Sequence, residues 1–236
     1  MFGPICSVVF DFDGTLVDTM PSVIRGLSEA IELATGEPVE TEALVKTFGP
    51  APEAVLRQWM PEAKVAGALR HWLEFEARVG PDQMRPFAGV EEMLTTLKAR
   101  GIALGIFTGR DRSGTLRILR TCGWFEKYFT ETNIVCGDDG FSPKPKPDPL
   151  LHLMKVLNLD PVTTLMVGDH PYDILAGKAA GTKAAAALWD MPRNLRSQRA
   201  RFRETWKKWD ALPCDLRLES PASLTEWFKA APKTQK

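Results

Sequence analysis

The segment Val8-Val9-Phe10-Asp11-Phe12-Asp13-Gly14 constrains this chain more than any other. Val8-Val9-Phe10 is an apolar, partly β-branched run that suits a strand covered on both faces, as in a parallel sheet. Asp11 and Asp13 then stand one residue apart where the strand should end, and Gly14 lets the chain turn sharply. Carboxylates buried at a strand terminus are costly unless a cation or hydrogen-bond donors face them. A hard cation with oxygen ligands would serve, and Mg2+ is the usual one where phosphate also binds. A solvated Asp-x-Asp-Gly turn is the competing reading, and these four residues alone leave both open.

Beyond this strand the pattern becomes helical. Val23, Leu27, Ala30, Ile31 and Ala34 recur at spacings of three and four, which predicts a helix ending near Gly36. Further helices are expected over Glu40–Phe48, stopped by Gly49-Pro50, and over 52–60 and 62–79. A helical block between strand-bearing segments reads as an insert with its own small core. Arg25, Lys46 and Arg57 on it could reach a substrate, though each also suits a solvated face. Arg85-Pro86-Phe87-Ala88-Gly89-Val90 brings the chain back, and an amphipathic helix follows, ending at Gly101.

Ile102–Phe107 is a second buried strand, closed by Thr108-Gly109-Arg110. A helix over 112–122 and a short strand over Phe129–Val135 come next. Pro143-Lys144-Pro145-Lys146-Pro147-Asp148-Pro149 then places four prolines in seven residues. Such a stretch stiffens the backbone, so a lysine is held at a fixed point at little entropic cost. Thr163–Gly168 is the next strand, and Asp169-His170-Pro171-Tyr172-Asp173 closes it. That spacing puts one carboxylate at the sheet edge and the next at the start of a helix, where both can face one cation. A fifth strand is expected over Lys183–Leu188, an edge strand over Leu216–Leu218 and a closing helix over Ser223–Lys229. Met191–Trp209 is basic and carries Phe202, Trp206 and Trp209. It suits a solvated helix face or a platform for an anionic partner. Pro232–Lys236 is expected to fray.

Asp11-Phe12-Asp13-Gly14-Thr15-Leu16-Val17-Asp18-Thr19 resembles the first motif of the haloacid-dehalogenase superfamily of phosphohydrolases. Thr108-Gly109, the lysine after the second motif and Asp169-x-x-x-Asp173 resemble the second, third and fourth motifs, in the family's order. The resemblance covers residues 5–190. It implies an α/β fold, a Rossmann-like parallel sheet with helices on both faces and an inserted all-helical cap. The core would comprise 1–17 and 84–236, and the cap 18–83. It further implies Asp11 as nucleophile, Asp13 as general acid/base and Thr108 with Gly109 as phosphoryl binders. Mg2+ would be held by Asp11, Asp13 through its backbone carbonyl, and Asp169, with Asp173 on or just behind it. Lys146 is the expected third-motif lysine in preference to Lys144, because Pro147-Asp148-Pro149 and an apolar helix follow it. Arg110 is either a ligand for substrate oxyanions or a partner for Asp111 or another carboxylate. His170 is expected on the rim of the site.

The reaction implied is hydrolysis of a small phosphorylated metabolite, phosphoglycolate-like or a sugar phosphate, through an aspartyl-phosphate. Asp13 argues against dehalogenases, and Phe12 against phosphonate-cleaving relatives. A phosphomutase of the β-phosphoglucomutase type is the alternative; such mutases place a His where the cap begins, whereas here Val23 stands at that place and the first His is His71. A non-catalytic regulator is a further one. The formal net charge is zero, so no global field draws the chain to nucleic acid or membrane. Cys6, Cys122, Cys136 and Cys214 form no C-x-x-C pair, which fits a reducing compartment. With no leader-like or membrane-spanning run, the expectation is a cytoplasmic protein, monomeric or homodimeric.

Overall fold

The computed structural model describes residues 3–48, 51–79, 83–189 and 211–230. Gly49-Pro50, the basic stretch 191–209 and the chain end at 232–236, for which expectations were stated above, lie outside them. Six strands form one parallel sheet: β1 (Ser7–Phe10), β4 (Ala103–Phe107), β5 (Ile134–Val135), β6 (Thr164–Gly168), β7 (Lys183–Ala187) and β8 (Leu216–Leu218). Their order is β5-β4-β1-β6-β7-β8, so β1 is central, flanked by β4 and β6. Val8, Val9 and Phe10 are fully buried, as strands covered on both sides must be. Helices α5 (Val90–Ala99), α6 (Arg112–Thr121), α7 (Asp148–Val156), α8 (Pro171–Ala179) and α9 (Pro221–Ala230) accompany the sheet. In such sheets ligands bind beyond the carboxyl ends of the strands.

Expected strand Phe129–Val135 shrinks to Ile134–Val135. Thr130 and Asn133 cap one another's backbone around a 3-10 turn, Glu131–Asn133, and the polar pair takes those residues out of the ladder. The apolar helix expected after Pro149 begins at Asp148, because Pro149 sits in its first turn, where a missing N–H costs nothing.

Between β2 (Val17–Asp18) and β3 (Arg85–Pro86) the chain makes a helical excursion: α1 (Met20–Thr35), α2 (Thr41–Val45), α3 (Pro52–Leu56) and α4 (Glu62–Arg78). The two short strands pair antiparallel, Val17 with Pro86 and Asp18 with Arg85, so the excursion leaves and returns at one place. Gly36 ends α1 in the left-handed conformation, φ 80°, which glycine adopts without penalty. The helices bury a cluster of their own, with Leu27, Ile31, Leu44, Leu56 and Trp72 among its members. Phe75, Val79 and Met84 instead join the main core. No described helix is long and apolar enough to cross a membrane.

Candidate active site

Residues expected from three separated segments converge beyond the strand ends, and the proline-rich fourth segment contributes a lysine other than the one expected. Asp11 directly follows β1 and is 7% exposed; its N–H donates to the Val167 carbonyl at 2.8 Å. Asp169 follows β6, and Asp173 lies in the first turn of α8, 1% exposed. Carboxylate oxygens of Asp11, Asp169 and Asp173 all lie within 4.8 Å of one another. Two glycines make this approach possible. A Cβ on Gly14, whose φ is +76°, would stand 2.4 Å from Asp169 Oδ2, and one on Gly168 would stand 2.3 Å from the Asp173 carboxylate. Thr15 Oγ1 donates to Asp169 at 3.0 Å, and the His170 N–H to Asp173 at 2.9 Å.

Lys144 supplies the positive charge. Its Nζ lies 2.5 Å from Asp11 Oδ1 and 2.7 Å from Asp173 Oδ1, and 4.6 Å over the Phe107 ring. This corrects the expectation of Lys146, which is exposed. The Lys146 N–H closes a turn onto the Pro143 carbonyl at 3.0 Å. The segment is therefore turned rather than extended, with Lys144 held against the carboxylates and Lys146 left in solvent. Burial alone would depress the Lys144 ammonium, but Asp11 and Asp173 outweigh it and hold it charged. Burial pushes the Asp11 carboxyl up to about 7, with Asp173 and Asp13 adding to the rise and Lys144 opposing it. Asp11 and Asp173 thus share one ammonium, and with Asp169 they form an oxygen-rich cluster of the kind a hard divalent cation takes.

Asp13 is turned elsewhere. Thr19 Oγ1 donates to it at 2.7 Å, and Arg110 Nε donates to both its oxygens at 3.0 and 3.1 Å. Its carboxylate lies outside the acidic cluster, which leaves the backbone carbonyl as the metal ligand the resemblance implies. Arg110 is buried and pairs with Asp13 and Glu76, the second a residue of α4. Of the two readings of Arg110, the structure therefore gives carboxylate pairing, though not with Asp111. Asp111 caps α6 by accepting from the Gly114 N–H at 2.7 Å. The two carboxylates outweigh burial and keep the guanidinium firmly charged. Glu76, 5% exposed, also accepts from Ser22 Oγ at 3.3 Å. It escaped sequence reasoning, because its partner lies in a distant loop; its one local signal is an acid beside Phe75 on a mostly apolar helix face.

Thr108 follows β4, is 1% exposed, and its Oγ1 accepts from the Arg110 N–H at 3.0 Å. Gly109 lies next to it; both line a cavity of about 180 Å³ with Asp11, Asp13, Asp169 and Lys144. His170 caps α8, accepting from the Tyr172 N–H through Nδ1 at 3.2 Å, and lines the same cavity. Burial lowers its pKa. Arg25, Lys46 and Arg57 stay out of the cavity lining: Arg25 stacks over Phe75, Lys46 pairs with Glu42 and Arg57 with Glu53 and Glu62.

A buried carboxylate beside a lysine, a second one with separate partners, and a loop hydroxyl can serve as nucleophile, proton carrier and anion holder. Comparison with known proteins points the same way. Residues 8–187 match the family model described as haloacid dehalogenase-like hydrolase. The chain is 34% identical over 190 residues to the N-acetylmuramic acid 6-phosphate phosphatase of Pseudomonas putida, covering 78% of this chain and 82% of that one. It is 30% identical over 187 residues to the phosphoglycolate phosphatase of Xylella fastidiosa, covering 78% and 80%. The crystal structure of a hydrolase from Pseudomonas syringae shares the fold, with a TM-score of 0.77 at 20% identity over 96% of this chain and 98% of that one.

Proposed function

Because this chain belongs to the haloacid dehalogenase-like hydrolases, we propose that it is a Mg2+-dependent phosphatase acting on small phosphate monoesters through Asp11. The observation that carries this reading is the sharing of Lys144 by Asp11 and Asp173, with Asp169 in the same cluster. Three carboxylates clustered this closely fit a hard divalent ion. Asp11, Asp169 and the Asp13 carbonyl would hold it, with Asp173 beside them. When bound, Mg2+ would shield the dianionic ester from the anionic nucleophile.

An Asp11 oxygen attacks phosphorus, and the bond from phosphorus to the ester oxygen breaks. Asp13 is the proton carrier and gives a proton to the departing oxygen. The resulting aspartyl-phosphate is opened by water, whose proton returns to Asp13 as the bond between phosphorus and the Asp11 oxygen breaks. Lys144 neutralises charge at Asp11 throughout, and Thr108 and Gly109 orient the phosphoryl oxygens. Arg110 positions Asp13, and the helical block, residues 18–83, acts as a cap over the core, 1–17 and 84–236. The mutase alternative loses support, since Val23 lines the cavity and the first histidine, His71, instead pairs with Glu29.

The test is phosphate release from a panel of monoesters with Mg2+ and with chelator, together with acid-quenched peptide mapping. Metal-dependent release and a phosphoryl group trapped on Asp11 are expected. Release without any adduct on Asp11 would overturn the covalent route.

A further inference from the structure

The helical block meets the site in two ways. Val23, Leu27, Val55 and Trp72 line the cavity, whereas Glu76 of α4 does not line it and acts on it through Arg110. Arg110 divides its donors between two carboxylates. Nε and Nη2 hold Asp13, Nε at 3.0 and 3.1 Å and Nη2 at 2.9 Å, and Nη1 donates to Glu76 Oε2. Asp13 alone would balance the guanidinium, so a second buried carboxylate is not needed for its charge. What Glu76 adds is an anchor. Its Oε1 accepts from Ser22 Oγ at 3.3 Å, and its main-chain carbonyl accepts from Arg117 Nη2 at 2.7 Å. A guanidinium bound to one carboxylate can follow that carboxylate as it moves. One stretched between carboxylates on two separate elements is held in place, and the planar fork passes its orientation on to Asp13.

We propose that Glu76 is a positioning residue for proton transfer: through Arg110 it holds the Asp13 carboxylate toward the leaving oxygen, so that the helical block sets the proton carrier of the sheet. The proposal rests on the phosphatase reading above, with Asp13 giving a proton to the ester oxygen as its bond to phosphorus breaks. Buried ion pairs are often no more stabilising than apolar residues of the same size, so stability alone is a weak reason for an acid at this place. Misplacement of a reacting group by about 1 Å can cost roughly 10²-fold in rate, which is reason enough.

The experiment uses the full chain with Mg2+ and two esters that differ in their need for a proton. 2-Phenylethyl phosphate has a poor alkoxide leaving group that must be protonated, whereas p-nitrophenyl phosphate releases a stable phenolate unaided. The quantity read is the alkyl-to-aryl ratio of kcat/KM, which does not depend on how much of a variant is folded. Asp13→Asn calibrates it and should lower the ratio by about 10²-fold or more. Glu76→Leu keeps the side-chain volume but removes the anchor, and should lower the ratio at least about tenfold. A purely structural tether would slow both esters alike. An unchanged ratio for Glu76→Leu beside a lowered one for Asp13→Asn would therefore overturn the positioning role and leave the phosphatase reading intact. An unchanged ratio for Asp13→Asn would overturn Asp13 as proton carrier and the proposal with it, and no release from either ester would overturn the phosphatase reading. Glu76→Asp is the second variant, should Glu76→Leu not fold. Being one methylene shorter, it keeps the acid on α4 but draws Arg110 away from Asp13 or loses it. Its ratio should fall about threefold or more, and an unchanged one would overturn the proposal.

Discussion

Strand ends and helix faces furnish opposite walls of the cavity, and they hold their side chains by different means. On the sheet side, Asp11, Thr108 and Asp169 each follow a buried parallel strand, and ladder register sets their separation. On the helical side, Leu27, Val55 and Trp72 are placed by packing within a small separate core. Backbone hydrogen bonds tolerate little displacement, whereas apolar packing accepts substitutions of similar volume. The sheet wall therefore suits invariant chemistry, and the helical wall suits adjustable recognition. Arg110 and Glu76 are the point where the two are tied.

The comparison breaks most sharply if the sheet wall can be altered without consequence. Asp11→Asn should abolish phosphate release, since loss of the nucleophile removes several kcal/mol of barrier reduction. More than about a tenth of wild-type kcat would contradict this. Lys144→Ala should lower kcat/KM by about two to three orders of magnitude, and Lys146→Ala by less than about twofold, as for a solvated charge. The reverse ranking in matched kinetics would return the role to Lys146.

Arg110→Met tests the tie between the walls. It strands Asp13 and Glu76 without their shared partner, and breaking a buried pair costs about 3–5 kcal/mol. Adding Glu76→Leu should recover part of that loss in denaturant unfolding, and additive effects would show that the two residues are not coupled.

A smaller effect concerns the metal-free protein. The folded-state pKa of Asp11 lies above its ordinary value, near 7. The folded state thus binds the proton more tightly than the unfolded chain, and the contribution of Asp11 to stability is full below about pH 4. It falls as pH rises toward 7, at up to about 1.4 kcal/mol per unit. Chelated wild type should lose stability over that interval, and chelated Asp11→Asn should lose less. Parallel profiles would discount the carboxylate. Smallest of all, Arg57→Ala should leave the unfolding midpoint and kcat/KM essentially unchanged, because its partners Glu53 and Glu62 are exposed.

Much of the sheet wall was legible in the sequence because its information is local. Asp-x-Asp-Gly and Asp-x-x-x-Asp fix their carboxylates within one turn of a strand end, and the buried runs Val8–Phe10 and Thr164–Gly168 announce the strands. Lys144 was misplaced because the choice hung on chain direction between alternating prolines, and the turn closed by the Lys146 N–H on the Pro143 carbonyl, with Lys144 against Asp11 and Lys146 in solvent, carries no local signal. Glu76 was illegible for another reason. Its role depends on how α4 is rotated against α1 and the loop after β4, a tertiary relation that helical periodicity only narrows to one face.

The two-residue ladder joining Val17–Asp18 to Arg85–Pro86 has an evolutionary corollary. A segment that departs and rejoins at a single spot can be exchanged wholesale, like a tool head on a fixed handle, without disturbing the sheet. Arg117 and Arg110 limit that freedom: Arg117 donates to the Glu76 and Val79 carbonyls, and Arg110 to the Glu76 carboxylate. Main-chain carbonyls come with almost any replacement helix, but the carboxylate does not. A transplanted segment would need an acid facing Arg110, so compatibility between handle and head reduces largely to one side chain.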